Sequence, residues 1–210
     1  DLIQKLIEKI SQGVEVRLIV DAVGTLVNSR ILRKIRAAGG EAASFRTFFS
    51  HRRSPNLRNH RKVIICDGKI AFFGGMNVGI EYLGRFWKKN RQRDWYDLHL
   101  KLAGPSVWDL QLMFLEDWDF CTGNFVDQLD YFPDCASPSN ASVQIVTGGP
   151  DTRPNPIHKA LFAAFTRAEK RIVIATPYLA PDLSLREALK TAALSGIEVH
   201  IVTQSFPPDS

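Results

Sequence analysis

One short stretch, NHRKVIICDGKIAFFGGMN (residues 59–77), holds a histidine, a lysine two places on, an aspartate five further, and then a Gly-Gly-x-Asn. Apolar residues separate them in a pattern that reads as strand, and strands seldom carry such a polar set. In an extended chain, side chains two apart share a face, so His60 and Lys62 point one way and Arg61 the other. Asn77 follows the second strand and can return to the same pocket. The pair Gly74-Gly75 leaves room for a ligand or another backbone to come close. The set suits phosphodiester chemistry. An imidazole can attack phosphorus or move a proton, while an ammonium and an amide hold phosphate oxygens as charge shifts in the transition state. No divalent cation is required if these groups do that work, and no carboxylate cluster is present to bind one. Asp67 falls at the turn end, five positions from Lys62, where a supporting role fits better than proton transfer. The competing reading of the same residues is an ordinary hairpin with a decorated edge.

The elements that must position these groups alternate between helix and strand. RKVIICD and KIAFFGG predict strands at 61–67 and 69–75, joined at Asp67-Gly68, a good two-residue hairpin turn. Leu2, Ile3, Leu6, Ile7 and Ile10 repeat at helical spacing up to Gly13, and a strand follows at 14–21. A second helix near 28–38 ends at Gly39-Gly40, with a short strand at 41–46. The run 95–104 alternates as a strand, and 105–120 reads as a helix with Pro105 in its first turn. Residues 121–142, rich in Pro, Asn, Ser and Asp, read as a linker. After it come a strand and turn at 143–152, helices at 156–169 and 183–195, and strands at 171–179 and 197–203. QGVEVRLIV (12–20) resembles SGIEVHIVT (195–203), each behind an amphipathic helix. That repeat implies a duplicated α/β architecture. Moving the 59–77 stretch by the same offset of 183 puts its second copy beyond position 210, so a truncated second half is expected.

The bulk properties set limits. The 45% apolar content is that of a globular chain, and no apolar run is long enough to span a membrane. Cys66, Cys121 and Cys135 match no zinc spacing or disulfide framework, which favours a reducing environment. From Arg30 to Lys62 there are ten Lys/Arg against Glu41 alone, a net +9 in a chain of net +5. This basic segment leads into the 59–77 stretch and points to an anionic substrate or surface.

The spacing His60-x-Lys62-x4-Asp67-x6-Gly74-Gly75-x-Asn77 resembles the HKD signature of the phospholipase D superfamily. The flanking text, through RDWYDLHLKLAGPSVWDLQLMFLEDW and IHKALFAAFTRAEKRIVIATPYLAPD, is similar to bacterial cardiolipin synthases of that type. The resemblance implies an α/β fold, a mixed sheet flanked by helices, in two pseudo-two-fold lobes with one motif each. Residues 1–120 would be the first lobe, 121–142 the linker and 143–210 the start of an incomplete second lobe. It implies His60 as the nucleophile, Lys62 and Asn77 as phosphate ligands, Asp67 as a supporting member of the catalytic set, and Gly74 and Gly75 as motif glycines, with no metal and no cofactor. The activity implied is transfer of a phosphatidyl group from one phosphatidylglycerol to another through a phosphohistidine, giving cardiolipin and glycerol. Partners would be anionic phospholipid, a membrane surface and a second motif-bearing lobe of the same full-length chain. The location would be peripheral, at the bacterial cytoplasmic membrane. The sequence departs from that pattern in carrying only the first motif, so the isolated chain is expected to be almost inactive.

Two other classes compete. A single-motif nuclease acting as a homodimer would use the basic segment on nucleic acid, but the beginning of a second lobe argues against it. A non-catalytic lipid-binding lobe would tolerate a broken motif, and this one is intact. The remaining residues of note read as follows. His51, Arg52 and Arg53 are solvated or touch headgroups. Glu81 and Tyr82 are structural or touch substrate, while His99, His158 and His200 read as structural. Trp87, Trp95, Trp108 and Trp118 pack the core or the lobe interface, or else face a membrane, and GGPDT (148–152) is a turn whose backbone amides could also bind phosphate.

Overall fold

The apolar spacing that predicts the first helix also places it. In the computed structural model, which describes residues 2–21, 28–45, 59–78, 97–126, 129–137, 139–149 and 154–203, helix α1 covers Leu2–Ser11. Its Ile3, Leu6, Ile7 and Ile10 pack on Leu32, Ile35 and Ala42. Gly13, at φ +85°, ends it: Val14 N donates to Lys9 O at 3.0 Å, the bond that closes a left-handed helix cap. Strand β1 (Arg17–Asp21), helix α2 (Asn28–Ala37) and strand β2 (Glu41–Phe45) form one βαβ crossover with β1 parallel to β2. The first three residues expected as strand stay outside the ladder, which starts at the Arg17–Glu41 pair.

Strands β3 (Lys62–Cys66), β4 (Ile70–Gly74) and β5 (His99–Ala103) make an antiparallel sheet in that order. Its inner face, with Val63, Ile65, Ala71, Phe73 and Leu102, packs on Val107, Leu110 and Met113 of helix α3 (Val107–Thr122). This helix starts two residues later than expected, because Gly104 (φ +105°) and Pro105 form the turn before it, accepting from Val107 N and Trp108 N. It runs on to Thr122, where Gly123 at φ +68° supplies the cap. Helix α3 packs on β2 as well as on β3 and β4, so one helix backs both sheets.

Residues 129–137 lie within the stretch that reads as a linker, yet they are fastened to the first unit. The Tyr131 hydroxyl accepts from Arg17 of β1 and donates to Glu15. Trp108 Nε1 donates to Pro133 O at 3.1 Å. A Cβ on Gly68, in the β3–β4 turn, would strike Tyr131 O and Pro133 Cδ.

The chain divides into two compact units, Asp1–Ile145 and Val146–Ser210. In the second, helix α4 (Pro156–Arg167) is capped by Asn155, whose Oδ1 accepts from Ile157 N at 3.0 Å. It stops two residues early because Ala168 is extended. Strands β6 (Arg171–Ala175) and β7 (Glu198–Val202) are parallel, joined by helix α5 (Leu183–Leu194), over a core of Ile172, Leu189 and Ala192. The repeat seen in sequence is present in the backbone. Gly196, at φ +87°, repeats the Gly13 cap, with Ile197 N donating to Ala192 O at 3.0 Å.

Candidate active site at the open end of the β3–β4 hairpin

The hairpin forms as its sequence demands. Asp67 (φ +53°) and Gly68 (φ +62°) both have positive φ, and Lys69 N donates to Cys66 O at 3.0 Å. Positive φ at both is what Asp-Gly favours, but the ladder closes at Cys66–Ile70, so Asp67, Gly68 and Lys69 form a three-residue loop where the sequence predicted a two-residue one. At the other end Lys62 pairs with Gly74, and Gly74 with His99. The glycine pair is required there by a neighbouring segment. A Cβ on Gly74 would strike Leu98 O, and one on Gly75 would strike the Asp97 carboxylate, while Gly75 N donates to Leu98 O at 3.0 Å. Of the two uses the sequence allowed for these glycines, close approach of another backbone is the one realised.

His60 lies two residues before β3, exposed. Its carbonyl accepts from Lys62 Nζ at 2.7 Å. Partial burial pulls the Lys62 ammonium below its usual pKa, and the carboxylates of Asp21, at the end of β1, and Asp97 pull it back up. The lysine is thus a half-buried cation with two acidic neighbours. Asn77 is exposed, three residues past β4 and at the same end of the hairpin. Asp67 is not brought to this group. It sits on the turn, about 16 Å from Lys62 at ~3.3 Å of rise per residue, because it lies five positions further along the chain.

Arg61 points away from Lys62, as alternation requires, and reaches helix α3. Its Nη1 lies 2.6 Å from both carboxylate oxygens of Asp117. Asn59 Nδ2 donates to Asp117 Oδ2 at 2.7 Å, and Asn59 Oδ1 accepts from Arg61 N at 3.1 Å. Both flanks of His60 are therefore fixed to one carboxylate. A cavity of about 80 Å³, lined in part by Ile19, Asn59, Arg61 and Asp117, lies beside this clamp. It is smaller than the ~300 Å³ of an ordinary ligand pocket.

Sequence reasoning missed Asp21, Asp97 and Asp117. A signal for Asp117 existed: it continues the apolar α3 series Leu110, Met113, Phe114 at helical spacing, and a carboxylate on such a stripe needs a partner. Asp97 precedes His99 by two and shares its face, a weaker sign. His51, Arg52, Arg53, Glu81, Tyr82, Trp87 and Trp95 lie outside the described residues. Trp118 is 2% exposed, in the core. His158 ties α4 to α5, with Nε2 2.7 Å from Asp182 Oδ2 and 2.9 Å from Ser184 Oγ. Since Ser184 also donates directly to Asp182 at 2.8 Å, the histidine does not relay between them, and this is no nucleophilic triad. His200 is exposed, 3.7 Å from Glu198. Among the described residues no group of three or more His, Cys, Asp or Glu could hold a metal ion. No described helix is long and apolar enough to cross a membrane.

Residues 1–91, including His60, Lys62 and the glycine pair, match the family described as "Cardiolipin synthase, PLD-like domain". These residues carry a phospholipase D-like domain. The similarity of the chain runs beyond the domain. It is 41% identical to the cardiolipin synthase of Geobacillus kaustophilus over 96% of this chain and 41% of that protein. It is 38% identical to the cardiolipin synthase of Clostridium perfringens strain SM101, over 98% of this chain and 44% of that protein. The chain thus spans less than half the length of these curated relatives. A solved phosphatidylserine synthase from Haemophilus influenzae superposes at a TM-score of 0.51, covering 96% of this chain and 59% of that one. At 16% identity that likeness speaks to the phospholipase D-like fold alone.

Proposed function

We propose that the protein containing this chain is a phosphatidyltransferase of the cardiolipin synthase type. The reading is supported by the position of His60, Lys62 and Asn77 at or just beyond the open end of one hairpin, within a domain whose 41%-identical relative is a cardiolipin synthase. In this reading a His60 ring nitrogen attacks the phosphorus of phosphatidylglycerol. A nitrogen–phosphorus bond forms as the bond to the glycerol headgroup oxygen breaks. Lys62 and Asn77 hold the non-bridging oxygens while charge moves onto them. The departing glycerol oxygen takes a proton from a second histidine, supplied by a motif outside this chain. A hydroxyl of a second phosphatidylglycerol then attacks phosphorus, its proton passing to that second histidine; the nitrogen–phosphorus bond breaks, which frees His60 and releases cardiolipin. Asp67, remote from the phosphate, supports the turn. In the same reading residues 1–120 form the first lobe and 143–210 begin the second.

The membrane side of the proposal rests on charge. Of the described cations in the basic segment, Arg36 donates to Ala42 O at 2.6 Å and Arg61 to Asp117, so both are engaged internally. Arg30, Arg33 and Lys34 of α2 are exposed and available to a peripheral contact with anionic lipid at the bacterial cytoplasmic membrane. Each engaged cation is worth about 1 kcal/mol near such a surface, and the contact should weaken with salt.

The test is the full-length protein on phosphatidylglycerol vesicles, scored for cardiolipin, phosphatidic acid and free glycerol. Cardiolipin with an equivalent of glycerol is expected, and His60→Ala abolishes it. Phosphatidic acid as the sole lipid product would make water the acceptor and the enzyme a phospholipase. Cleavage of single-stranded DNA without any lipid product would replace the reading with a nuclease. A soluble phosphodiester turned over unchanged in excess EDTA is expected, and loss of turnover restored by a metal would count against the proposed role of Lys62 and Asn77.

A further inference from the structure

His60 stands outside the β3 ladder. Its strand begins two residues later at Lys62, so sheet hydrogen bonds do not fix its backbone. What fixes it is a small polar assembly. Asn59 accepts from Arg61 N across the intervening His60, a side-chain turn with the histidine at its apex. Asn59 and Arg61 both donate to Asp117 of α3, and the Lys62 ammonium holds the His60 carbonyl from the next residue but one.

We infer that Asp117 is a positioning residue for His60: it acts through Asn59 and Arg61 to hold the imidazole at one fixed height and angle above the hairpin end. Three observations carry this. Asp117 has a side chain only 15% exposed, and its two oxygens receive donors from both flanks of His60 and from no other described side chain. A carboxylate so placed would not persist on the apolar stripe of α3 unless its partners were held in return, so the assembly is fixed on both sides. Finally, the cavity lined by Asn59, Arg61, Val63, Met113 and Asp117 gives the segment somewhere to go. With the carboxylate gone, Asn59 and Arg61 lose their shared acceptor beside that space. A reacting group must lie within a few tenths of an ångström of its attack position, and a displacement near 1 Å costs about 10²-fold in rate. The inference rests on the proposed reading of His60 as the reacting group.

The experiment uses the full-length protein on a soluble chromogenic phosphodiester, with kcat, KM and Tm measured for each variant. Asp117→Asn keeps the shape but turns one acceptor into a donor facing Asn59 or Arg61. It should lower kcat about 10–10²-fold while KM stays within about twofold and Tm nearly unchanged. Arg61→Lys, a milder change that keeps the charge and loses the planar fork, should lower kcat less, and Asp117→Asn with Arg61→Lys should be no worse than Asp117→Asn alone. Glu116→Gln, exposed on the same helix, is the control and should leave kcat alone. If His60→Ala abolishes turnover while Asp117→Asn matches the parent in kcat, the positioning role is overturned and the site reading stands. If His60→Ala keeps turnover, both fall. A drop in activity that tracks Tm across the variants, or one confined to KM, would make Asp117 merely structural and overturn the inference.

Discussion

The β3–β4 hairpin is held at both of its ends, and the two ends are held in opposite ways. At the turn, Gly68 is covered by the backbone of Tyr131 and the ring of Pro133, and the attachment continues through Tyr131 to Arg17. The contacts are shape and backbone, and no side chain of the turn is left facing inward. At the open end the attachments are carboxylates: Asp117 on the flanks of His60, and Asp97 beside Gly75 and Lys62. One end is immobilised by packing and keeps its aspartate on the turn, away from Lys62. The other is oriented by charge and leaves a histidine exposed. A sequence motif that runs over both ends therefore mixes two kinds of requirement, and Asp67 and His60 belong to different ones.

The sharpest way to separate the ends is to remove the group assigned to the chemistry. His60→Ala should lower turnover of a soluble phosphodiester by more than the roughly 10²–10⁴-fold of a lost proton-transfer group, because the proposed nucleophile is gone, with little change in Tm because the ring is exposed. Turnover within tenfold of the parent would dissolve the distinction between the ends. Gly75→Ala should come next. Its methyl must displace the Asp97 carboxylate, a flexible group, so the protein should fold, but Lys62 loses a fixed neighbour and kcat should fall about tenfold. A wild-type kcat would show that Asp97 can move without consequence.

At the packed end the order of effects reverses. Gly68→Ala places a side chain at φ +62°, which costs about 1–2 kcal/mol, and drives it against Tyr131 O. Denaturant unfolding should show a loss of about 2 kcal/mol or more, with kcat per folded molecule unchanged. Asp67→Asn should do almost nothing to either quantity, since Asn-Gly suits the same turn. A 10²-fold loss of kcat in a stable Asp67→Asn would return Asp67 to the chemistry.

These contrasts also show what was legible in the sequence. The hairpin and its strands were, because alternation and an Asp-Gly pair mark them; the register was not, since Lys69 joins the loop and Cys66 pairs with Ile70 rather than Lys69. The paired helix caps were, because Gly13 and Gly196 sit at matching places in a repeat and only a left-handed residue ends a helix in that way. Segment 129–137 was not. Pro, Asp and Ser around it are the composition of a connector, and only Tyr131, Phe132 and Pro133 betray that it packs. The clamp on His60 was not either. Asp117 lies 56 or more residues from Asn59 and Arg61, so although a carboxylate on the apolar stripe of α3 signals that it needs a partner, nothing local says which partner it takes.

The smallest predicted effect uses two native thiols as reporters, one near each end. Cys121, one helical turn beyond Asp117, is pushed up to about 12 by burial and by the Asp117 carboxylate. Cys66, next to the turn, is raised by burial and by Asp67. Only the thiolate attacks an alkylating or disulfide reagent. At pH 8 a thiol near 12 is about 10⁻⁴ ionised against about 10⁻¹ for an ordinary one near 9, so Cys121 should label roughly 10³-fold more slowly than an unperturbed cysteine. Its rate should rise about tenfold per pH unit through pH 9 and 10, where an ordinary thiol levels off. Asp117→Asn removes the second cause of the shift but not burial, so labelling of Cys121 should quicken several-fold and stay slow. Asp67→Asn should quicken Cys66 alone. Among the described residues the two ends share no partner, and changes at sites without shared partners act independently. Mass-spectrometric labelling rates in both variants check this. If Asp67→Asn changed the rate at Cys121, or Asp117→Asn the rate at Cys66, the hairpin would be transmitting charge or motion along its length, and the separation of a packed end from a reactive one would be wrong.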